Sequence, residues 1–247
     1  MTEQAYEPYA PLNTLKPFAE DIWIVDGPEI RMNYLGLRIP FPTRMTVVRL
    51  PDGSLWIHSP IAWNDDLGCA LAELGPVRHI VAPNTLHYWY VPDWHERFPE
   101  ARTYGPADLQ KRARRKLQID ETLTESAPLA WQDAFEQCLF PGTILTEIAF
   151  LHRPSATLIL TDLIENFEPE RIRRRLLRWA IRLAGPTHPD GKAPFDMRWN
   201  FIGRGDAVRA ASRRLVEWAP ERIVFAHGRC YESNGLAELK RAFRWAL

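Results

Sequence analysis

Residues 151–163 read Leu-His-Arg-Pro-Ser-Ala-Thr-Leu-Ile-Leu-Thr-Asp-Leu, and this stretch decides how the fold is interpreted. An apolar run ends at His152, a Pro-Ser turn follows, and a second apolar run ends at Asp162. Segments 82–87 (Ala-Pro-Asn-Thr-Leu-His) and 223–228 (Ile-Val-Phe-Ala-His-Gly) likewise place His87 and His227 next to strand-like runs. We therefore expect these four side chains to form one site. Three imidazoles and one carboxylate are suitable ligands for Zn²⁺, iron or manganese.

The turn Pro51-Asp52-Gly53-Ser54 lies between two apolar runs and predicts a hairpin of strands 45–50 and 55–58. A helix over 65–74 ends before Gly75-Pro76 and leads to a short buried strand at 79–82. Pro40 and Pro42 are expected to break the chain before residue 45. The other predicted elements are strands at 22–25, 102–104 and 222–226, helices at 92–98, 106–118, 169–183, 206–218 and 235–245, and a second hairpin of 147–151 with 157–161.

The alternation of strands and helices in the first half predicts parallel strands covered by helices. Both halves open with antiparallel strands and end in helix–strand units, which favours two sheets packed face to face with helices outside. We expect one domain over residues 1–247, with an irregular lead-in at 1–19. In the helix at 169–183 the apolar residues fall on one face, so Trp179 is expected to face the core.

Composition narrows the classes of function. The 247 residues carry a formal net charge of zero, which argues against nucleic acid or an anionic membrane as a whole-surface partner. The three cysteines are widely spaced and indicate a reducing compartment. No signal peptide and no apolar run of ~18 residues is present, so a cytoplasmic protein without a transmembrane segment is expected.

Several motifs in this order resemble the metallo-β-lactamase-fold superfamily over nearly the whole chain. They are the turn Trp56-Ile57-His58-Ser59-Pro60, the Ala-Pro-Asn loop that ends at His87, the Thr161-Asp162 strand end and the final His227-Gly228. The chain is most similar to an uncharacterised branch of that superfamily, labelled a domain of unknown function. The resemblance implies an αββα four-layer sandwich, in which two mixed β-sheets pack face to face and a metal site lies at one edge between them.

The family's first metal motif, His-x-His-x-Asp-His, is eroded in this chain. Its positions fall on Ala82, Asn84, Leu86 and His87, so only the last ligand is retained. Such a motif implies one metal ion rather than two, with zinc as the first choice and iron or manganese as alternatives. Asn84 replaces a ligand and is expected to point into the site and form hydrogen bonds there without binding the metal.

The remaining ligand positions of the family match His152, Asp162 and His227. The resemblance therefore implies a shell of His87, Asp162 and His227, with His152 as a fourth ligand or as a free acid or base. His58 occupies the place of a family aspartate and is expected beside the shell. Arg153 and Arg229 follow ligands in sequence and are candidates to hold an anionic group of a substrate.

These residues favour a metal-dependent hydrolase that acts on a small ester, thioester or lactone-type substrate. A binding protein that kept the fold and a relic site is the alternative, and a nuclease is disfavoured because two-metal chemistry would need the lost ligands. The sequence does not predict an oligomeric state. Basic stretches at 111–116 and 171–182 are expected to be solvated helix faces, or else sites for a phosphate-bearing substrate, RNA or a membrane surface.

Overall fold

The computed structural model describes residues 5–34 and 37–247. The strands lie at β1 Lys16–Ala19, β2 Ile22–Tyr34, β3 Leu37–Arg49, β4 Leu55–His58, β5 Val77–Val81, β6 Arg102–Gly105, β7 Glu121–Thr122, β8 Phe135–Phe140, β9 Glu147–His152, β10 Thr157–Ile159 and β11 Arg222–Val224. The helices lie at α1 Asp65–Leu74, α2 Val91–Arg97, α3 Leu109–Arg112, α4 Arg175–Ala184, α5 Phe195–Trp199, α6 Gly205–Glu217 and α7 Gly235–Phe243, with a short 3₁₀ turn at Pro169–Arg171.

The first sheet has the order β1-β2-β3-β4-β5-β6-β7. Its first four strands are antiparallel, and β4 to β7 are parallel, as the alternating helices predict. The β2–β3 ribbon is longer than expected, because pairing continues through Pro40 and Pro42. Strand β4 pairs only with residues 46–49 of β3. The earlier part of β3, which contains Pro40 and Pro42, therefore pairs with β2 and not with β4. A strand with one free side tolerates prolines that cannot donate to a ladder.

The second sheet has the order β11-β10-β9-β8. Strands β8, β9 and β10 are antiparallel, which confirms the second hairpin, and β11 runs parallel to β10. This arrangement places the carboxyl ends of β10 and β11 at the same edge of the sheet. It also places the end of β9 at the opposite edge, because β9 and β10 run in opposite directions.

Successive side chains along the strands enter different layers of the core. Val48, Phe150 and Ile159 belong to the core between the sheets. Val47 packs with helices α1 and α2 outside the first sheet. Leu158 packs with α6 and α7 outside the second. This period-two alternation is that of strands buried on both faces, and the predicted αββα sandwich is confirmed.

Three local predictions are wrong. The helix expected at 106–118 is restricted to α3, and the lead-in at 1–19 contains strand β1, with residues 1–4 outside the described part of the chain. Trp179 of α4 is largely exposed, because α4 packs on the protein through Leu177 and Ile181 instead. No helix within residues 5–34 and 37–247 is long and apolar enough to cross a bilayer.

Candidate metal centre

His87, Asp162 and His227 converge on one point from three distant parts of the chain. His87 lies in the loop that follows β5, Asp162 lies three residues after β10, and His227 lies three residues after β11. One ligand atom from each residue lies within 4.8 Å of the others. The Nε2 atoms of His87 and His227 lie 3.1 Å and 3.3 Å from the same oxygen, Oδ1 of Asp162. Because parallel strands end at a common edge, the sandwich brings these side chains together.

Both imidazoles are fixed through their other nitrogen. The Nδ1 of His227 lies 2.9 Å from the carbonyl oxygen of Pro42, which can only accept, so this nitrogen carries the proton. The Nδ1 of His87 lies 2.7 Å from Oγ of Ser59, whose hydroxyl donates to the carbonyl of Arg44 and therefore accepts from His87. Histidines that ligate metals are normally oriented by such outer hydrogen bonds. The donor set and its orientation therefore fit a divalent ion.

Asn84 is fully buried, and its side chain forms hydrogen bonds with several groups of the centre. Its amide nitrogen lies 2.9 Å from Oδ2 of Asp162, 2.9 Å from Oγ1 of Thr161 and 3.3 Å from Oε2 of Glu147. Its amide oxygen accepts from the backbone N–H of Leu86 and of His87, each at 2.8 Å. The amide thus fixes the carboxylate of Asp162 and the start of the loop that carries His87. Because its oxygen already accepts two N–H groups, Asn84 is poorly placed to serve as a ligand.

Glu147 is a buried carboxylate that sequence reasoning missed. It opens strand β9, opposite the end of β10, and accepts the backbone N–H groups of Thr161 at 2.8 Å and Asp162 at 3.0 Å. Its carboxylate therefore orients the turn that presents Asp162. The sequence contained a signal for this role, because Glu147 is a charged residue that stands directly before the apolar run of β9. A buried charge at a strand terminus indicates a functional or organising role.

The charges of the centre shift each other's pKa. Burial opposes ionisation of Asp162, but the two histidines outweigh it and hold the pKa of that carboxyl well below its usual range. Burial lowers the pKa of His87, but Asp162 and Glu147 together outweigh burial, so the net shift is upward. Burial lowers the pKa of His227, and His87 adds to this effect. Burial and the charge of Asp162 raise the pKa of Glu147 to about 7.

The prediction that His152 joins this shell is wrong. His152 ends β9, where it pairs with Thr157 and Phe135, at the edge of the sheet opposite Asp162. Its Nδ1 shares a 2.8 Å hydrogen bond with the hydroxyl of Ser155, and burial lowers its pKa to about 4. The antiparallel register is the physical reason. His152 pairs with Thr157, and Asp162 lies five residues further along the chain, which is roughly 17 Å in an extended strand.

The two arginines predicted to bind substrate are not among the residues that line the cavity at the centre. Arg153 follows His152 and forms a 2.6 Å ion pair with Glu136. Arg229 is exposed and directs its guanidinium toward Glu168 at 3.8 Å. A third arginine, Arg44, lines the cavity at the centre and was not predicted. It is buried, pairs with Asp26 at 2.8 Å and donates to the carbonyls of Phe225 and Gly228, on either side of His227.

His58 lies next to the centre but outside the ligand group. Its ring stacks on Trp56 and meets Phe150 edge to face. Its Nε2 atom has no hydrogen-bond partner among residues 5–34 and 37–247. Burial, and then the charge of His87, lower its pKa to about 3, so it is neutral at physiological pH. A neutral, buried imidazole behaves here as part of the core between the sheets.

A cavity of about 120 Å³ opens onto His87, Asp162 and His227. Its walls are mainly apolar, and its polar lining includes the three candidate ligands. The other lining residues are Ile30, Phe41, Thr43, Arg44, Ser59, Pro60, Ile61, Leu86, Trp89, Tyr90, Glu165, Pro194 and Met197. Apolar walls with a few convergent polar groups are typical of sites for small molecules.

Comparison with protein families gives a match to the model of a domain of unknown function (DUF4336), over residues 20–174. Comparison with curated proteins gives no match. The matched segment includes His87 and Asp162, whereas His227 lies beyond it.

Solved structures of metallo-β-lactamases share the fold over the whole chain. The structure of DIM-1 exposed to ceftazidime is 16% identical, with 99% of this chain and 98% of that chain covered at a TM-score of 0.62. FIM-1 from Pseudomonas aeruginosa, in its mono-zinc form, is 16% identical, with 100% of both chains covered at a TM-score of 0.56. An enzyme from Hirschia baltica is 11% identical, with 94% and 97% covered at a TM-score of 0.58. At these identities the similarity extends to the fold alone.

Proposed function

The chain belongs to DUF4336, a family of unknown function that here has the metallo-β-lactamase fold, and we propose that it is a mononuclear metal-dependent hydrolase of small ester, thioester or lactone-type substrates. One observation carries the proposal. Two imidazole nitrogens and one carboxylate oxygen converge in the lining of a mainly apolar cavity, and each side chain is already oriented by an outer hydrogen bond. Three protein ligands with an open position are typical of catalytic zinc sites.

His87, Asp162 and His227 would hold the metal ion through Nε2, a carboxylate oxygen and Nε2. Zinc is the favoured ion, with iron or manganese as alternatives. When bound, such an ion lowers the pKa of a coordinated water from ~16 toward ~7. Asp162 would also orient the attacking water, while Asn84 and Glu147 keep its carboxylate in place. The apolar walls of the cavity would bind the substrate and exclude bulk water.

Two features support a single ion. Asn84 stands at a ligand position of the related motif, and its amide is already engaged by five protein groups. His152, the remaining candidate for a second site, lies at the other edge of the sheet. The solved structure of FIM-1, described as a mono-zinc form, supports the capacity of this fold to hold one zinc ion.

A binding protein with a relic site is the alternative function. The observation in its favour is that Asp162 has protein partners without any metal, since it accepts from Asn84 and lies 3.1 Å from Nε2 of His87, whose pKa is raised. Such a protein would bind a small ligand in the cavity and leave it unchanged.

Metal analysis of protein purified without an affinity tag, followed by assays on a chromogenic ester, a thioester and a lactone, tests the proposal. We expect about one zinc, iron or manganese per chain, and hydrolysis that EDTA abolishes and one equivalent of the metal restores. His227→Gln should lose both metal and activity. His152→Gln is the matched control and should retain both, because His152 lies outside the ligand group. A metal content near zero favours the binding protein with a relic site, and full metal content without hydrolysis of any of the three substrates contradicts the proposed substrate classes.

A further inference from the structure

Helix α4 presents large apolar side chains to solvent. Leu176 is 87% exposed, Trp179 is 65% exposed and Leu183 is 67% exposed. With residues 100° apart along a helix, these three side chains lie on one face, which we call the α4 apolar face. Surface leucines are common singly, but a cluster that includes a tryptophan indicates an interaction site.

The α4 apolar face is not left over from an incomplete core. The helix already packs on the protein through Leu177 and Ile181, which contact the cluster of Tyr6, Phe167 and Ile172. Leu176 and Trp179 lie on the side of the helix that points away from this contact. The apolar arc of α4 is therefore wider than the part that packs against the rest of the protein.

A second segment extends the exposed apolar surface. Phe195 and Trp199 of α5, together with Ile202, are each more than half exposed. Phe195 and Leu183 line the same groove, which has a volume of about 730 Å³. The α4 apolar face and this segment therefore form one surface.

The charge on helix α4 and the residues just before it has a single sign. Residues 171–185 contain six arginines and no acidic residue. Arg171 pairs with Glu168, and Arg178 donates to the carbonyl of Ile172. The other four are exposed and form no ion pair with the described side chains, which exclude those of residues 1–4, 32–39 and 196: Arg173, Arg174, Arg175 and Arg182. On the helix, Arg175 and Arg182 form a strip beside Trp179.

We infer that the α4 apolar face is a docking surface for an anionic lipid bilayer. Leucine and tryptophan on one face of a helix, with arginines beside them, are the pattern of helices that lie in the membrane interface. Tryptophan is suited to that position because its ring is apolar and its N–H is polar. Exposed arginines next to the inserted side chains would contact anionic headgroups, each contributing ~1 kcal/mol.

A second copy of this chain is a less suitable occupant. A symmetric contact through the α4 apolar face would bring two arginine-rich segments into one interface. Residues 171–185 offer no acidic side chain to neutralise them. Like charges that are desolvated together oppose association.

The position of the surface relates it to the candidate metal centre. Phe41, Glu165 and Pro194 line both the groove beside α4 and the cavity at the centre. Leu86 and Trp89, at the cavity, are also partly exposed apolar residues. Docking through α4 would therefore place the cavity beside the bilayer, whatever reaction takes place there.

Co-sedimentation with vesicles tests the inference. Untagged protein should sediment with vesicles of phosphatidylcholine and phosphatidylglycerol in a 2:1 ratio at low salt, and much less with vesicles of phosphatidylcholine alone. Binding should weaken at 0.5 M salt, roughly where the Debye length falls to a few ångströms. Tryptophan emission should shift to the blue on binding, and Trp179→Ser should reduce this shift.

Variants identify the surface. Leu176→Asp should lower the partition coefficient at least ~10-fold, since burying a leucine is worth ~1.5 kcal/mol or more. Arg182→Gln should lower it ~5-fold on anionic vesicles only, which is the ~1 kcal/mol expected of one arginine. Leu129→Asp is the matched control, because Leu129 is 84% exposed but lies outside the arginine-rich segment, and it should bind like the wild type.

Four results would overturn the inference. They are no binding to either vesicle, equal binding to neutral and anionic vesicles, Leu176→Asp binding like the wild type, and equal losses for Leu176→Asp and Leu129→Asp. Light scattering distinguishes the second copy: a dimer that Leu176→Asp disrupts, without vesicle binding, would assign the surface to self-association. All the variants replace exposed side chains, so a circular dichroism spectrum suffices to establish that they fold.

Discussion

Replacing Asn84 by alanine should damage both the stability of the fold and the affinity for metal. The side chain is fully buried and connects Asp162, Thr161 and Glu147 to the backbone of Leu86 and His87. The change removes three contacts that the amide nitrogen donates and two that the amide oxygen accepts. It leaves a small polar cavity at the junction of the two sheets.

The magnitude follows from these contacts. A buried polar group left without a partner costs about 1–3 kcal/mol, and the buried Oδ2 of Asp162 and Oγ1 of Thr161 would both lose the amide donor. A water that enters the cavity would recover part of this loss. We therefore expect a decrease of about 3–5 kcal/mol in the free energy of unfolding. Residues that orient metal ligands typically change affinity 10–100-fold when removed, so zinc affinity should fall by that factor.

Urea denaturation in EDTA measures the stability without any contribution from metal, and competition with a zinc chelator measures the affinity. Asn64→Ala is the matched control, because Asn64 caps α1 through one bond of 3.0 Å to the N–H of Leu67. It should cost ~1 kcal/mol and leave zinc affinity unchanged. The reasoning is refuted if the two variants lose equal stability, or if Asn84→Ala binds zinc as tightly as the wild type.

Three further predictions concern residues of known position. Asp162→Asn should abolish the rise in melting temperature that zinc causes in the wild type, where the zinc-linked stabilisation is ~4 kcal/mol at a thousandfold excess over the dissociation constant. An equal response in the wild type and the variant would show that Asp162 is not a ligand. Arg44→Met should cost about 1–3 kcal/mol in urea denaturation, because buried Asp26 keeps Lys16 as an ion-pair partner while the carbonyls of Phe225 and Gly228 lose their guanidinium donor; no measurable loss would contradict this role of Arg44. Burial lowers the pKa of His79 to about 4, so the unfolded chain takes up its proton first as the pH falls from 6.5 toward 4. The contribution of His79 to stability, fully present above pH 6.5, should therefore fall by about 2 kcal/mol by pH 5, and the drop between pH 7.5 and 5 should be smaller by that amount in His79→Gln than in the wild type.

The layers of the fold could be predicted from the sequence because each depends on local periodicity. Alternating apolar residues in the strands mark both faces as buried, as Val47 and Val48 do in separate cores. Turn residues such as Gly53 locate the hairpins, and helices between strands imply parallel pairing. The group of His87, Asp162 and His227 was also within reach, because each residue follows the end of a strand that runs toward the same edge.

The position of His152 and the role of Glu147 were beyond that reasoning. Both residues lie on β9, one at each end. The sequence marks the ends of the strand, but only the antiparallel register with β10 decides which end meets Asp162. It is the end that carries Glu147, so the carboxylate lies at the centre and the imidazole does not.

Helix α4 shows the same division between local pattern and tertiary structure. Its sequence by itself determined that Leu176, Leu177, Trp179 and Ile181 lie on one broad apolar arc, because the helical repeat is a local property of the backbone. Only the tertiary structure decided that Leu177 and Ile181 are covered while Leu176 and Trp179 face solvent. The physical reason is that burial depends on which surface the rest of the chain places beside the helix. The periodicity of the helix does not specify which distant residues will lie there.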